Sequence, residues 1–86
     1  MKIEKKTWPD AFQKIFSGVK NVELRLADFE CKPGDVLVLR EFDPKTKNYT
    51  GRVIEKEVKY VMRTKEQPYW SKDEIERYGF QVMSFK

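Results

Sequence analysis

Apolar residues recur at helical spacing near the start of the chain, where Trp8, Ala11, Phe12, Ile15 and Phe16 share one face. Thr7 stands where a cap belongs, Asp10 follows three residues on, and Pro9 occupies the first turn. Gly18 supplies the left-handed residue that ends such a helix. A helix is therefore predicted over residues 7–17, with its aromatics in the core. The period then changes. Val22, Leu24 and Leu26 alternate with Glu23 and Arg25, which predicts a strand over residues 22–26. Lys32-Pro33-Gly34-Asp35 is a type II turn signal, because Pro presets φ and Gly accepts the positive φ that follows. The unbroken apolar run Val36-Leu37-Val38-Leu39 predicts a strand buried on both faces, with Arg40 and Glu41 carrying it to the surface. Residues 43–51 are polar, with Asp-Pro at one end and Thr-Gly at the other, and should link two antiparallel strands. The returning strand alternates Ile54, Val58, Tyr60 and Met62 against Glu55, Glu57, Lys59 and Arg63. Lys56 interrupts it and marks a bulge or a strand end. After a loop at residues 64–68, Ser71 and Glu74 form a capping box opening a short helix that Gly79 closes. A last strand is expected over residues 80–85.

This order, one main helix, strands, one short helix and a strand, predicts a single α+β domain over residues 1–86. Short strands joined by polar turns favour a small, partly open barrel of mostly antiparallel strands with helices at its ends. Hydrophobic residues make up 40% of the 86, including six Phe, four Tyr and two Trp, which is enough for one core and excludes a disordered tail. The net charge of +4 leans towards an anionic partner, and the basic residues are dispersed rather than gathered in a tail. Cys31 is the one cysteine and there is no histidine. That excludes a disulfide framework, a zinc site of the common type and a His-based catalytic triad, and no metal or cofactor is expected. No apolar run approaches the about 18 residues of a membrane span, and the charged start at Lys2, Glu4, Lys5 and Lys6 is unlike a signal peptide. A cytoplasmic monomer is the expectation.

The candidate chemistry lies where the first helix gives way to the next segment. Lys20, Glu23 and Arg25 bunch beside the Gly18 turn. Taken alone, they read first as an ion pair on a solvated strand face, and it is the resemblance described below that puts a site ahead of it. As a binding site, Lys20 and Arg25 would hold a phosphate or a base edge, and Glu23 would accept from an exocyclic amine or fix Arg25. Pro68-Tyr69-Trp70, between Lys65 and Lys72, offers either a stacking surface for unpaired bases or an apolar cover for the barrel. Gly18, Lys20, Glu23, Arg25, Arg40 and Trp70 form the candidate ligand-binding set.

The spacing G-x-K-x-x-E-x-R at Gly18, Lys20, Glu23 and Arg25 resembles the signature of the ASCH branch of the PUA-like superfamily. Thr7-Trp8-Pro9, Pro33-Gly34-Asp35-Val36-Leu37, Leu39-Arg40-Glu41-Phe42-Asp43-Pro44 and Tyr49-Thr50-Gly51-Arg52 are similar to its small bacterial and phage single-domain proteins of unknown function. The likeness runs over residues 7–86. It implies a pseudobarrel with a cleft beside the first helix, lined by the signature residues, and RNA or a nucleotide as ligand. Those relatives often carry His in a first strand, where this chain has Met1-Lys2-Ile3-Glu4. One ASCH group hydrolyses N4-acetylcytidine with the signature Lys, a Thr of the same stretch and a distant Glu. Lys20 matches the first, Glu23 stands at the Thr position, and the distant Glu has no assigned counterpart. The alternative is thus a small amidohydrolase with Lys20 and Glu23 as catalytic groups. Its Lys20 would have to be neutral, which Glu23 opposes. A protein-binding module is a third class on which the residues are silent.

Overall fold

A computed structural model of the chain describes residues 1–85. Strand β1 (Lys2–Thr7) leads into helix α1 (Pro9–Phe16), strands β2 (Val36–Asp43) and β3 (Asn48–Glu57) form a hairpin, and helix α2 (Lys72–Tyr78) follows a short 3-10 turn at Thr64–Glu66. The three strands make one sheet in the order β1-β2-β3. β1 and β2 are parallel, from Lys2 beside Val36 to Thr7 beside Glu41. β2 and β3 are antiparallel. The sheet is mixed rather than mostly antiparallel because α1 carries the chain back along it between β1 and β2, as parallel neighbours require. Among the described residues the sheet does not close into a barrel.

The core lies between α1 and one face of the sheet. Ile15, Leu37 and Leu39 are buried together, with Ile3, Cys31, Ile54 and Val58 packed around them. Phe12 is also buried, but Trp8 and Phe16 are more than half exposed, at 63% and 61%. The predicted aromatic face was too wide: an eight-residue helix on a three-stranded sheet covers only the stripe through Phe12 and Ile15. Thr7 belongs to β1 and does not cap α1; the cap position is Trp8, with Pro9 starting the helix. β2 alternates instead of burying both faces, with Leu37, Leu39 and Glu41 inward, since α1 covers one side only.

Two expected strands fall outside the sheet. Residues 22–26 carry no strand ladder, and Leu24 and Leu26 are exposed. Arg25 fastens this segment to β1 by its side chain, donating to the Lys6 carbonyl at 2.6 Å. Residues 80–85 are likewise outside any ladder, and Phe80 packs edge-on against Trp70. β3 stops at Glu57, short of Tyr60 and Met62, where Val58 pairs with the turn through Gly34 N–H to Val58 O and Val58 N–H to Asp35 O, both 2.8 Å. The predicted strand end near Lys56 holds. The bulge lies further back, between Arg40 and Phe42. The Pro33-Gly34 turn, the Ser71–Glu74 capping box and the Gly79 stop form. The link between β2 and β3, however, is only residues 44–47, since Asp43 and residues 48–51 belong to the strands.

Candidate functional site

Gly18 (φ +85°) turns the chain out of α1, and the Lys20 N–H reaches back to the Lys14 carbonyl at 2.9 Å. That wrap delivers Lys20, Glu23 and Arg25 to a cleft of about 260 Å³ at the β1–α1 junction. Lys20 Nζ donates to Glu23 Oε1 at 3.2 Å, and Arg25 Nε donates to Glu23 Oε2 at 2.6 Å. Both carboxylate oxygens are thus held by cations, which fixes the three side chains relative to one another. Arg25 Nη2 donates further to the Lys6 carbonyl and, at 3.2 Å, to Thr7 Oγ1. The guanidinium therefore bolts the signature segment to the end of β1.

The cleft contains two residues that sequence reasoning assigned elsewhere. Thr7 is 3% exposed and turns its hydroxyl to Arg25. Trp8 lines the cleft, and its exposed indole results from its cap position, where the extended backbone leaves β1 before the helix begins. Thr7-Trp8-Pro9 was the available signal: a Pro at the first helical position puts the preceding residue at the cap and the one before that in an extended segment.

The remaining members of the predicted set lie elsewhere. Gly18 shapes the turn and does not line the cleft. Arg40 points to the sheet face opposite the inward-facing residues, pairing with Glu4 at 2.7 Å and stacking 3.8 Å from the Tyr49 ring centroid. Trp70 packs between Tyr69 and Phe80, in a loop tied by Gln67 to the Tyr69 and Trp70 amides. A larger open groove of about 500 Å³ runs past Cys31, Tyr60, Arg63 and Tyr69. No knot of paired charges like that around Glu23 gathers there, so the smaller cleft is the better candidate.

A second polar knot surrounds Glu41, the register partner of Thr7. Glu41, expected at the surface, is 5% exposed. β3 places three residues, Thr50 to Arg52, opposite Glu41 alone. Gly51 (φ +97°) takes the backbone shape this bulge demands. Thr50 Oγ1 donates to Glu41 Oε1 at 2.6 Å and Arg52 Nε lies 3.7 Å from the same oxygen. Arg52 also lies over the Phe12 and Phe16 rings and donates to Gln13. Gly51 between Tyr49 and Val53 was the available signal for this bulge, hidden because the polar run 43–51 reads as one link.

Among the described residues, no cluster of three or more His, Cys, Asp or Glu side chains is arranged to hold a metal ion. No helix among them is long and apolar enough to cross a membrane. The molecule so described is a small α+β domain with a charged cleft between its first strand and first helix. The chain belongs to the DUF3850 family, a domain of unknown function, whose match runs over residues 3–75 and so takes in the whole cleft. No curated protein and no solved structure matches it.

Proposed function

We propose that the cleft binds a nucleobase or nucleotide, free or within RNA. The observation that carries this reading is Trp8, an exposed indole in the same small cleft as Lys20, Glu23 and Arg25. An aromatic face stacks on any base. Glu23 accepts from an exocyclic amine, as carboxylates do from cytosine N4, while Lys20 and Arg25 provide for a phosphate or base oxygen. The resemblance to ASCH domains points the same way, and with it goes a PUA-like pseudobarrel. A cytoplasmic monomer suits the lone Cys31.

The test is a titration with cytidine 5′-monophosphate and short single-stranded RNA at low salt. Amide shifts should concentrate at residues 18–25 and Trp8 fluorescence should change. RNA affinity should fall steeply with salt, and Trp8→Ala should weaken binding by about 1–3 kcal/mol. No movement in that segment at millimolar ligand defeats the reading.

The alternative, an amidohydrolase acting on a modified nucleoside such as N4-acetylcytidine, draws support from the Thr7 hydroxyl in the cleft. Against it, Lys20 Nζ is engaged by Glu23 rather than left free for a substrate. Incubation with N4-acetylcytidine decides between the two readings: release of cytidine that vanishes in Lys20→Arg would establish the enzyme, because Arg does not give up its proton in the working range.

A further inference from the structure

The sheet face opposite Leu37 and Leu39 carries a feature that the cleft does not use. Phe42 and Tyr49 are cross-strand partners, and their rings meet edge-on at 5.2 Å. Arg40, anchored by Glu4, packs 3.8 Å from the centroid of Tyr49 and fixes that ring's position. Lys6, beside Arg40 in the parallel register, holds its ammonium 4.5 Å from the Phe42 ring and 5.9 Å from Tyr49. Among the described residues Lys6 has no carboxylate partner, unlike Lys2, Arg40 and Lys59 on the same sheet face or just beyond it. Tyr49 remains 40% exposed, next in the face to the exposed Val53.

Lys6 also lines the cleft, and its own carbonyl receives Arg25. One lysine therefore belongs to both places. An ammonium without a counter-ion, on a residue shared by a base-sized cleft and an aromatic pair with one exposed ring, matches the alternation of phosphate and base along a single strand.

We propose that the Phe42–Tyr49 pair is a second stacking subsite, so that the ligand is a single-stranded oligonucleotide. One base would enter the cleft beside Trp8, the linking phosphate would sit at Lys6, and the neighbouring base would lie on Tyr49. This rests on the reading of the cleft as a base site and extends it from a nucleotide to a strand. A ring stacks on a base whatever its sugar, so RNA and single-stranded DNA of one sequence should gain from the subsite alike.

The experiment compares cytidine 5′-monophosphate with the tetranucleotides rC4 and dC4, on the wild type, Tyr49→Leu and Tyr49→Phe. The wild type should bind either tetranucleotide about tenfold or more tightly than the mononucleotide, the scale of one added stack. Tyr49→Leu keeps an apolar side chain on an exposed strand but removes the π-face. It should abolish the gain and leave mononucleotide affinity unchanged, whereas Tyr49→Phe should retain the gain. Equal affinity for mono- and tetranucleotide in the wild type, or a gain that survives Tyr49→Leu, overturns the second subsite and leaves the cleft standing. A gain for rC4 alone would place the extra contact on the ribose and overturn it too. A mononucleotide that fails to bind, with no effect of Trp8→Ala, defeats the cleft reading itself.

Discussion

Glu41 is a carboxylate that folding takes out of water, and the surrounding residues are arranged to compensate it. Its short hydrogen bond comes from Thr50, while Arg52 is further off and half in solvent. Thr50→Val keeps the shape and removes the donor. A hydrogen bond to a charged group contributes about 1.5–3 kcal/mol, so the urea midpoint should fall by that equivalent, and Thr50→Ser should recover most of it. Sequence spacing made Lys20, Glu23 and Arg25 legible as a cluster, because three residues within six positions cannot be far apart. It could not place Thr7 and Trp8 beside them. Their meeting depends on Arg25 reaching β1 across 18 positions of sequence, a contact that no local pattern encodes. Phe16 misled for a related reason: its spacing is that of a core residue, but the sheet that should cover it is too narrow.

Among the elements, β2 was legible as the one unbroken apolar run, which suits a central strand. β1 was not. Its sequence Lys-Ile-Glu-Lys-Lys-Thr reads as a charged lead-in, and only the fold reveals an edge strand with Ile3 and Thr7 inward. Charge on an edge strand discourages pairing with other chains, and it also hides the strand from a hydrophobicity pattern. α2 is the opposite case, written clearly in its capping box yet contributing no buried residue. Its stability is therefore local. Ser71→Ala should lower the protection of the Ile75 and Gly79 amides by about 0.5–2 kcal/mol, the usual worth of a cap. Hydrogen exchange would detect this loss, while the global unfolding midpoint should stay where it was.

For the molecule as a whole, the radius of gyration is 14.7 Å, against about 12 Å for a tightly packed chain of this length. The excess reflects the exposed loop and tail on either side of α2. Three strand ends converge at Asp35, where the beginnings of β1 and β2 meet the end of β3. Asp35 accepts from the Lys32 amide at 2.9 Å and from the N-terminal ammonium at 3.2 Å, and its carbonyl holds Val58. The Lys32 hydrogen bond first, and then the ammonium, draw the Asp35 carboxyl below its ordinary value. A depressed carboxyl stabilises the fold above the unfolded-state value of about 3.9 and loses that contribution as pH falls through the lower folded value. The stability difference between wild type and Asp35→Asn should thus be constant at neutral pH and shrink below about pH 3.9. Denaturation midpoints across that range would reveal it, and a difference that grew on acidification would refute it.

The bulge opposite Glu41 has a consequence for how this hairpin tolerates deletion. The ladder pairs Phe42 with Tyr49 and Arg40 with Val53, so the surplus in β3 is an even number of residues. Side chains alternate with a period of two. Excising Thr50 and Gly51 together would leave every flanking residue on its present face and bring Arg52 directly across from Glu41. Removing either one alone would leave two residues across from Glu41, a bulge of the ordinary kind, with Ile54 still inward. The hairpin can therefore shorten here by one residue to a common bulge or by two to a plain ladder, with Leu39 still opposite Ile54 in either case.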